Sequence, residues 1–532
     1  MLEGASASPS SLSAETVISC ELDAERGLLS EVIWLSGRLR PRPLCSGLGS
    51  CTLCRVRFVD SVPQASVREC ELLSRDALAS GWRLACQHRV EELVRELGEE
   101  DVILLELPPE SACRERNTDP PVHRPHCDLP LGLALDLGTT SICYELVVLR
   151  GKERGRPVAR ASFINPQMGA GSDVVSRLAA AADDEKRLRL STLVRKEMRC
   201  ALGSEAFGDQ LQRGCLSANT VMTYIFLNTP VHGLSSYPEH LTYLGDRTEH
   251  LEGFPPLYIP PLAGPFIGGD VICGILAVEE RKPSYPWLLA DLGTNAEFAL
   301  CLSAGEMLFA SVPMGPAMEG IGMRKGQLAG ENVVTSFALS PLGLRGEGEK
   351  LSSEARGISA TGYLSLLALL RRHGLMDGHG QLSGRSSLPL AQMILAHRFF
   401  EGGRWLLGLP GGLFLDALDV EEMLKVKAAW SAALSLLLQR AQLEMRQLSA
   451  IFLAGCLGDY VRAEDLEALH FLPYGTASKL VALGNTSLTG ARTLVLNPEK
   501  AETLRRIMAK AEVLNLTKDP SFQDCFFASM HF

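Results

Sequence analysis

The sequence predicts a multidomain protein that combines α+β and α/β architecture. Three observations lead there. Six cysteines fall in a first stretch of about 90 residues, prolines crowd the segment after it, and the remaining ~400 residues alternate strand-like apolar runs with helical patterns. A chain of 532 residues has room for about three to five folding units.

Residues 1–14 are Ser/Ala-rich, with neither a basic start nor an apolar stretch, and are expected to form a disordered tail. Residues 15–107 read as one compact unit that closes on the strand-like run Val102 to Leu107. Residues 108–130 hold Pro108, Pro109, Pro120, Pro121, Pro125 and Pro130 among charged residues, which favours a stiff extended linker. From Leu131 onward, strands alternate with helical patterns such as Asp173 to Ala181 and Val420 to Arg446.

An internal echo divides this larger part. Leu133-Ala-Leu-Asp-Leu-Gly-Thr-Thr-Ser141 and Leu288-Leu-Ala-Asp-Leu-Gly-Thr-Asn-Ala296 each run an apolar strand into the same Asp-Leu-Gly-Thr turn. Such a long period suits two related subdomains, 131–287 and 288–532, better than a solenoid.

A formal net charge of -10 disfavours nucleic acid or an anionic membrane as the main partner. The longest helical apolar run, Ala428 to Leu438, falls short of the ~20 residues needed to span a bilayer. Fifteen cysteines make a poor disulfide framework at an odd count. They suit a reduced, cytoplasmic protein that uses some thiolates as ligands.

Cys45, Cys51 and Cys54 form a C-x5-C-x2-C loop, and Cys86 follows from a separate segment. Three thiolates on one loop plus a distant fourth can enclose a two-iron cluster, with Gly47 and Gly49 letting the backbone fold close. Zinc is the competing reading, although it usually takes two close ligand pairs. Arg38, Arg40, Arg42, Arg55 and Arg57 surround the loop, as a solvated face or as a rim for an acidic redox partner. Cys113, His123, His126 and Cys127 lie in the Pro-rich linker, where ligands are seldom preorganised.

The segment resembles a [2Fe-2S] ferredoxin domain of the plant/adrenodoxin type. Leu28 to Gly37 matches its helix before the cluster loop, and Ser80-Gly-Trp-Arg-Leu-Ala-Cys86 matches the segment that delivers the fourth ligand. The resemblance implies a β-grasp fold and makes Cys45, Cys51, Cys54 and Cys86 the iron ligands.

Asp136-Leu-Gly-Thr-Thr140 is a turn whose backbone N–H groups and hydroxyls can approach phosphate, while its Asp can hold a metal-bound water. The second copy, Asp291-Leu-Gly-Thr-Asn295 with Glu297 after it, supplies an opposing turn, so a triphosphate with Mg²⁺ fits between them. The strand Ala450 to Leu453 then runs into Ala454-Gly-Cys-Leu-Gly458, where small residues permit close approach of an adenosine. In this order the three turns resemble the ASKHA superfamily of ATPases and sugar kinases, an actin-like, duplicated ribonuclease-H-like fold. Neither a P-loop nor a G-x-G-x-x-G competes.

The whole pattern resembles the ATP-dependent reductive activators of corrinoid proteins. It includes Asn165-Pro-Gln167, Ser172-Asp-Val-Val-Ser-Arg177, Pro260-Pro-Leu-Ala-Gly264, Gly315-Pro-Ala-Met-Glu-Gly320, Gly484-Asn485 with Gly490-Ala491, and Pro520-Ser-Phe522. The resemblance implies an ATP-hydrolysing iron-sulfur enzyme that reduces Co(II) to Co(I) in a partner corrinoid protein of a methyltransferase system. A low-potential electron donor such as a ferredoxin would feed it, and a homodimer remains compatible. Asp291 would position the attacking water or Mg²⁺, supported by Glu297 and Asp136. Gly138, Thr139, Thr140, Gly293, Thr294, Asn295, Gly315, Gly455 and Gly458 would contact the nucleotide. Two other activities fit the same cleft: an ASKHA-type small-molecule kinase, or an ATP-dependent redox sensor with a fused ferredoxin domain.

Overall fold

The computed structural model describes residues 17–21, 27–37, 39, 41, 44, 47, 49, 52–97, 102–108, 129–203, 210–236, 238–383, 389–401, 403–455 and 461–532. Outside that set lie the expected tail, most of the linker with Cys113, His123, His126 and Cys127, the ligand candidates Cys45 and Cys51, Arg38, Arg40 and Arg42, and Gly458. The chain divides into two compact units, Met1–Arg124 with Pro166–Ser172, and Pro125–Asn165 with Asp173–Phe532.

The first unit holds β1 (Val17–Glu21), α1 (Leu29–Trp34), β2 (Arg55–Phe58), α2 (Val67–Leu72), α3 (Arg75–Ala79), β3 (Trp82–Leu84), α4 (Val90–Leu97) and β4 (Val102–Glu106). Its sheet runs β1-β4-β2-β3, with every pairing antiparallel. The period of two in β4 explains its role: Ile103 and Leu105 are buried while Val102 and Leu104 are exposed. Leu29, Ile33, Val56, Leu84 and Val90 complete the core. Ser66 starts α2 by accepting from the Glu69 N–H while Glu69 accepts from the Ser66 N–H, so two otherwise orphaned helix-end donors are satisfied.

The second unit repeats one plan twice. Its first sheet contains β5 (Leu131–Leu137), β6 (Ser141–Val148), β7 (Pro157–Ile164), β8 (Leu211–Ala218), β9 (Arg247–Glu249) and β10 (Leu257–Ile259), in the order β7-β6-β5-β8-β10-β9. Between β7 and β8 lie α5 (Val174–Ala181) and α6 (Asp184–Leu202), and α7 (Thr220–Leu227) follows β8. Helix α8 (Gly269–Glu279) then leads to the second sheet, made of β11 (Trp287–Leu292), β12 (Asn295–Ser303), β13 (Glu306–Pro313), β14 (Ala450–Ala454), β15 (Leu480–Gly484) and β16 (Glu512–Leu514). Its order is β15-β14-β11-β12-β13-β16.

Five strands of the two sheets correspond, and the sixth differs: β9 adds antiparallel beyond β10, whereas β16 adds parallel beyond β13. In each, three antiparallel strands from consecutive hairpins (β5-β6-β7 and β11-β12-β13) are extended on the first strand by two parallel ones, β8-β10 and β14-β15. Both Asp-Leu-Gly-Thr turns therefore occupy the same place, the bend between the first two strands. Strands β5 and β11 are buried along nearly their whole length, as their continuous apolar sequence requires.

Long helices fill the remaining layers, notably α9 (Ala360–Arg372) and α10 (Ala417–Arg440), where Trp430 packs on Phe298 and donates its indole N–H to the Phe471 carbonyl at 2.7 Å. Helix α11 (Thr486–Leu496) crosses α8 so closely that a Cβ on Gly490 would stand 1.9 Å from the Cys273 carbonyl oxygen. Among the described residues, no helix is long and apolar enough to cross a membrane.

Candidate functional site

The two turns open into one cavity of about 370 Å³ within the second unit. It is lined by Asp136, Gly138, Thr139 and Thr140 from the first turn, and by Asp291, Gly293, Thr294, Asn295 and Glu297 from the second. Gly455 lines it as well.

Register explains these positions. Asp291 ends β11 opposite Glu297 on β12 and beside Ala454 on β14, so the turn after Ala454 meets it directly. Gly455 has φ +87°, and a Cβ there would lie 2.7 Å from Asp291 Oδ1 and 2.5 Å from the Leu292 carbonyl oxygen. Only glycine permits that approach. Gly138 is constrained likewise, since its Cβ would meet the Ser141 carbonyl oxygen at 2.6 Å.

Helices α8 and α11 both start at the cavity, contributing Asp270 from one and Asn485, Thr486 and Ser487 from the other. A helix N-terminus favours an anion, because its first N–H groups lack internal partners. Asn219, the N-cap of α7, adds a side-chain amide that donates to Thr139 Oγ1 at 3.2 Å.

The electrostatics oppose this attraction. Asp136, Asp270, Asp291 and Glu297 bring four carboxyl groups to the cavity, Glu297 buried and the three aspartates half-buried. Burial, then the nearby Asp270 and Asp136, pushes Asp291 up to about 8. Burial and the charges of Asp270 and Asp291 raise Glu297 as well. Asp136 is raised by burial, partly offset by the Ser487 hydroxyl at 2.7 Å and the Asn485 amide at 2.6 Å, both donating to it. Asp270 is raised by burial and by Asp136. Crowded carboxyls of this kind suit a divalent cation, which reverses their mutual repulsion.

Among the described residues, no three potential ligands gather into a metal-holding group. Thr140 Oγ1, Glu319 Oε2 and Thr486 Oγ1 are buried at the cavity without a hydrogen-bond partner among the described residues. The two hydroxyls can donate to a ligand rich in oxygen, whereas the Glu319 oxygen, an acceptor when ionised, calls for a cation or a donor.

Gly315 does not line the cavity. Its φ of +79° bends the chain after β13 into a single 3₁₀ turn, Pro316–Glu319, whose last residue does. Asp270, Glu319, Asn219, Asn485 and Ser487 are lining residues to which the sequence reading gave no role. Asp270 had a signal in Gly268-Gly269, since a Cβ on Gly268 would stand 2.4 Å from Asn219 Cα.

In the first unit, Cys54 and Cys86 are both buried, and their segments run side by side, with the Ala85 N–H donating to the Cys54 carbonyl at 3.0 Å. The Gln87 side-chain amide donates to the Gly47 carbonyl at 2.9 Å and lies 3.4 Å from Cys86 Sγ, tying the loop to the Cys86 segment. Gly47 and Gly49 have φ of +89° and +67°. Two soft thiols beside a glycine-turned loop fit an iron-sulfur group. Behind them, burial would raise the Glu69 carboxyl, but hydrogen bonds from His88 and from the Leu84 and Ser66 N–H groups hold it below the ordinary range.

The repeated sheet and its two-turn cavity give the second unit the duplicated α/β architecture of the ASKHA fold class. Residues 286–532 match the C-terminal domain of RACo, the ASKHA domain, and residues 131–282 match the RACo middle region. The chain belongs to the RACo family. It is 26% identical over 442 residues to the Co(II) methylated amine-specific corrinoid protein reductase of Methanosarcina barkeri, covering 75% of this chain and 77% of that one. It is also 25% identical over 432 residues to the corrinoid activation enzyme RamQ of Eubacterium limosum, covering 75% and 70%. A solved structure of a reductive activator for a corrinoid, iron-sulfur protein shares the fold, with a TM-score of 0.67 over 95% of both chains at 19% identity.

Proposed function

We propose that this chain is a cytoplasmic, ATP-dependent reductive activator. It would pass one electron from a low-potential donor such as a ferredoxin through a [2Fe-2S] cluster to a partner corrinoid protein of a methyltransferase system. Its substrate is the partner's Co(II), which gains the electron to become Co(I). The observation that carries the reading is the single cavity on which two matching Asp-Leu-Gly-Thr turns converge. The two curated relatives, named for corrinoid protein reduction and activation, support the substrate class.

In this reading residues 15–107 form a β-grasp ferredoxin-like domain, followed by the 108–130 linker and the nucleotide-binding subdomains 131–287 and 288–532. Cys45, Cys51, Cys54 and Cys86 hold the cluster, which supplies one-electron transfer. The buried Cys54 and Cys86, on segments that run side by side, support that ligand set. Thr139, Thr140, Thr294 and Asn295 bind phosphate oxygens, with Gly138 and Gly293 leaving them room. Gly455 lets the adenosine approach, and Gly458 is assigned with it. Asp291 orients the attacking water, with Glu297 and Asp136 fixing the charge around it. Mg²⁺ supplies positive charge to the phosphates when bound.

The energetic logic is that each tenfold adverse ratio in a one-electron reduction corresponds to about 59 mV, or ~1.4 kcal/mol. ATP binding and hydrolysis can offset such a gap by favouring one cleft conformation over another. Steady-state ATPase assays test the class. Turnover should rise when a Co(II) corrinoid protein is added and ignore sugars and carboxylic acids. Stimulation by a small-molecule acceptor, with phosphoryl transfer to it, would make the chain a kinase instead.

A further inference from the structure

Glu319 is the one acidic side chain of the cavity delivered by neither phosphate turn, strand end nor helix start. The loop that carries it is pinned at both ends. Gly315 turns the chain inward with φ +79°, and Gly320 turns it out with φ +74° so tightly that a Cβ there would meet the Gln327 carbonyl oxygen at 2.5 Å. Between these bends Glu319 is driven into the cavity and buried.

What it touches is informative. Thr294 Oγ1 donates to Glu319 Oε1 at 2.8 Å, and the Thr140 hydroxyl stands beside the same carboxylate without completing an aligned hydrogen bond. These hydroxyls belong to opposite turns. A threonine hydroxyl has a single proton to donate, so Thr294 cannot give it to Glu319 and to a phosphate oxygen together. An ionised carboxylate at this spot also repels the phosphate that would replace it. Burial pushes the Glu319 carboxyl up, and the Thr294 hydroxyl and the positive charge of the fully buried Arg177 offset part of that rise.

We infer that Glu319 is a positioning residue that gates the nucleotide: its carboxylate holds the ground between the two phosphate turns until a cation-shielded triphosphate displaces it. The inference rests on the nucleotide reading above and adds to it a source of selectivity for the metal-bound form. Free anionic nucleotide meets an occupied, negatively charged gate, whereas the Mg²⁺ complex brings the charge that neutralises it.

The test is equilibrium binding of a fluorescent ATP analogue to the full chain, titrated in Mg²⁺ and in EDTA. The wild-type protein should bind at least about tenfold more tightly with Mg²⁺. Glu319→Gln should narrow that ratio several-fold, through tighter binding in EDTA rather than weaker binding in Mg²⁺. Glu319→Ala, which empties the position, should change the ratio in the same direction. Thermal midpoints of both variants check that the fold is retained. A purely structural role would weaken binding equally in both media, and that result, or an unchanged ratio, overturns the inference while leaving nucleotide binding intact. Absence of wild-type binding in both media would overturn the nucleotide reading and the inference with it.

Discussion

Replacing Asp291 with Asn should stabilise the nucleotide-free protein while removing its ATP turnover. Asp291 is half-buried at the cavity, and desolvation together with Asp270 and Asp136 raises its carboxyl from 3.8 to about 8. The folded protein thus holds this proton more tightly than the unfolded chain does. The penalty for its charge is absent below pH 3.8, grows as pH rises, and levels off above about 8. Between those limits it grows by about 1.4 kcal/mol per pH unit, reaching roughly 4 kcal/mol at pH 7. Neighbouring carboxyls share the protons, so the measured figure should fall below that ceiling. Urea denaturation of the wild type and Asp291→Asn in EDTA, at pH 5 and pH 7, reads the difference directly. The variant's advantage should widen toward pH 7, and its ATPase rate should drop by at least about a hundredfold. An advantage that does not change with pH would refute the carboxylate repulsion on which the Mg²⁺ reading depends.

Three other changes probe separate parts of the site. Gly455→Ala places a methyl group 2.5 Å from the Leu292 carbonyl oxygen at a positive φ, and should destabilise the protein by about 1–3 kcal/mol and weaken nucleotide binding, as thermal melts and binding titrations would show. Asn485→Ala removes the 2.6 Å donor to the half-buried Asp136. It should cost about 1–3 kcal/mol in denaturant titrations, and the Asp136 carboxyl should rise further, shifting the acid limb of ATP turnover upward. Cys86→Ser should abolish the visible absorbance and EPR signal of anaerobically prepared protein without altering ATP binding, whereas stoichiometric zinc and no iron in the wild type would exclude the cluster.

The parts of the site legible in the sequence are those carried by short, continuous segments. Each Asp-Leu-Gly-Thr turn announces itself because a buried strand, its terminal Asp and the glycine bend are neighbours in the chain, and their repetition matches the repeated sheet order. One helix start is legible for the same reason, Asp173 capping α5 where the helical pattern begins, whereas the pattern Val420 to Arg446 falls late of α10, which runs Ala417–Arg440. Asp270 and Glu319 escaped because their meaning is tertiary. Asp270 is carried in by a helix whose N-cap Gly268 is required by the distant Asn219 backbone, and Glu319 by a loop bent at Gly315 and Gly320. Gly315 itself acts through the bend, not through the cavity wall. The approach of the segments carrying Cys54 and Cys86 likewise depends on β2 and β3 lying side by side, which spacing alone does not encode.

Anaerobic spectroscopy of the assembled system tests the central claim most directly. The full chain, Mg²⁺ and ATP are mixed with a low-potential reductant and a corrinoid protein held as Co(II), and the cobalt spectrum is followed. The account predicts conversion to the Co(I) spectrum that requires both the chain and ATP. Persistence of Co(II) in the complete mixture, or the same rate of reduction without ATP, would contradict it.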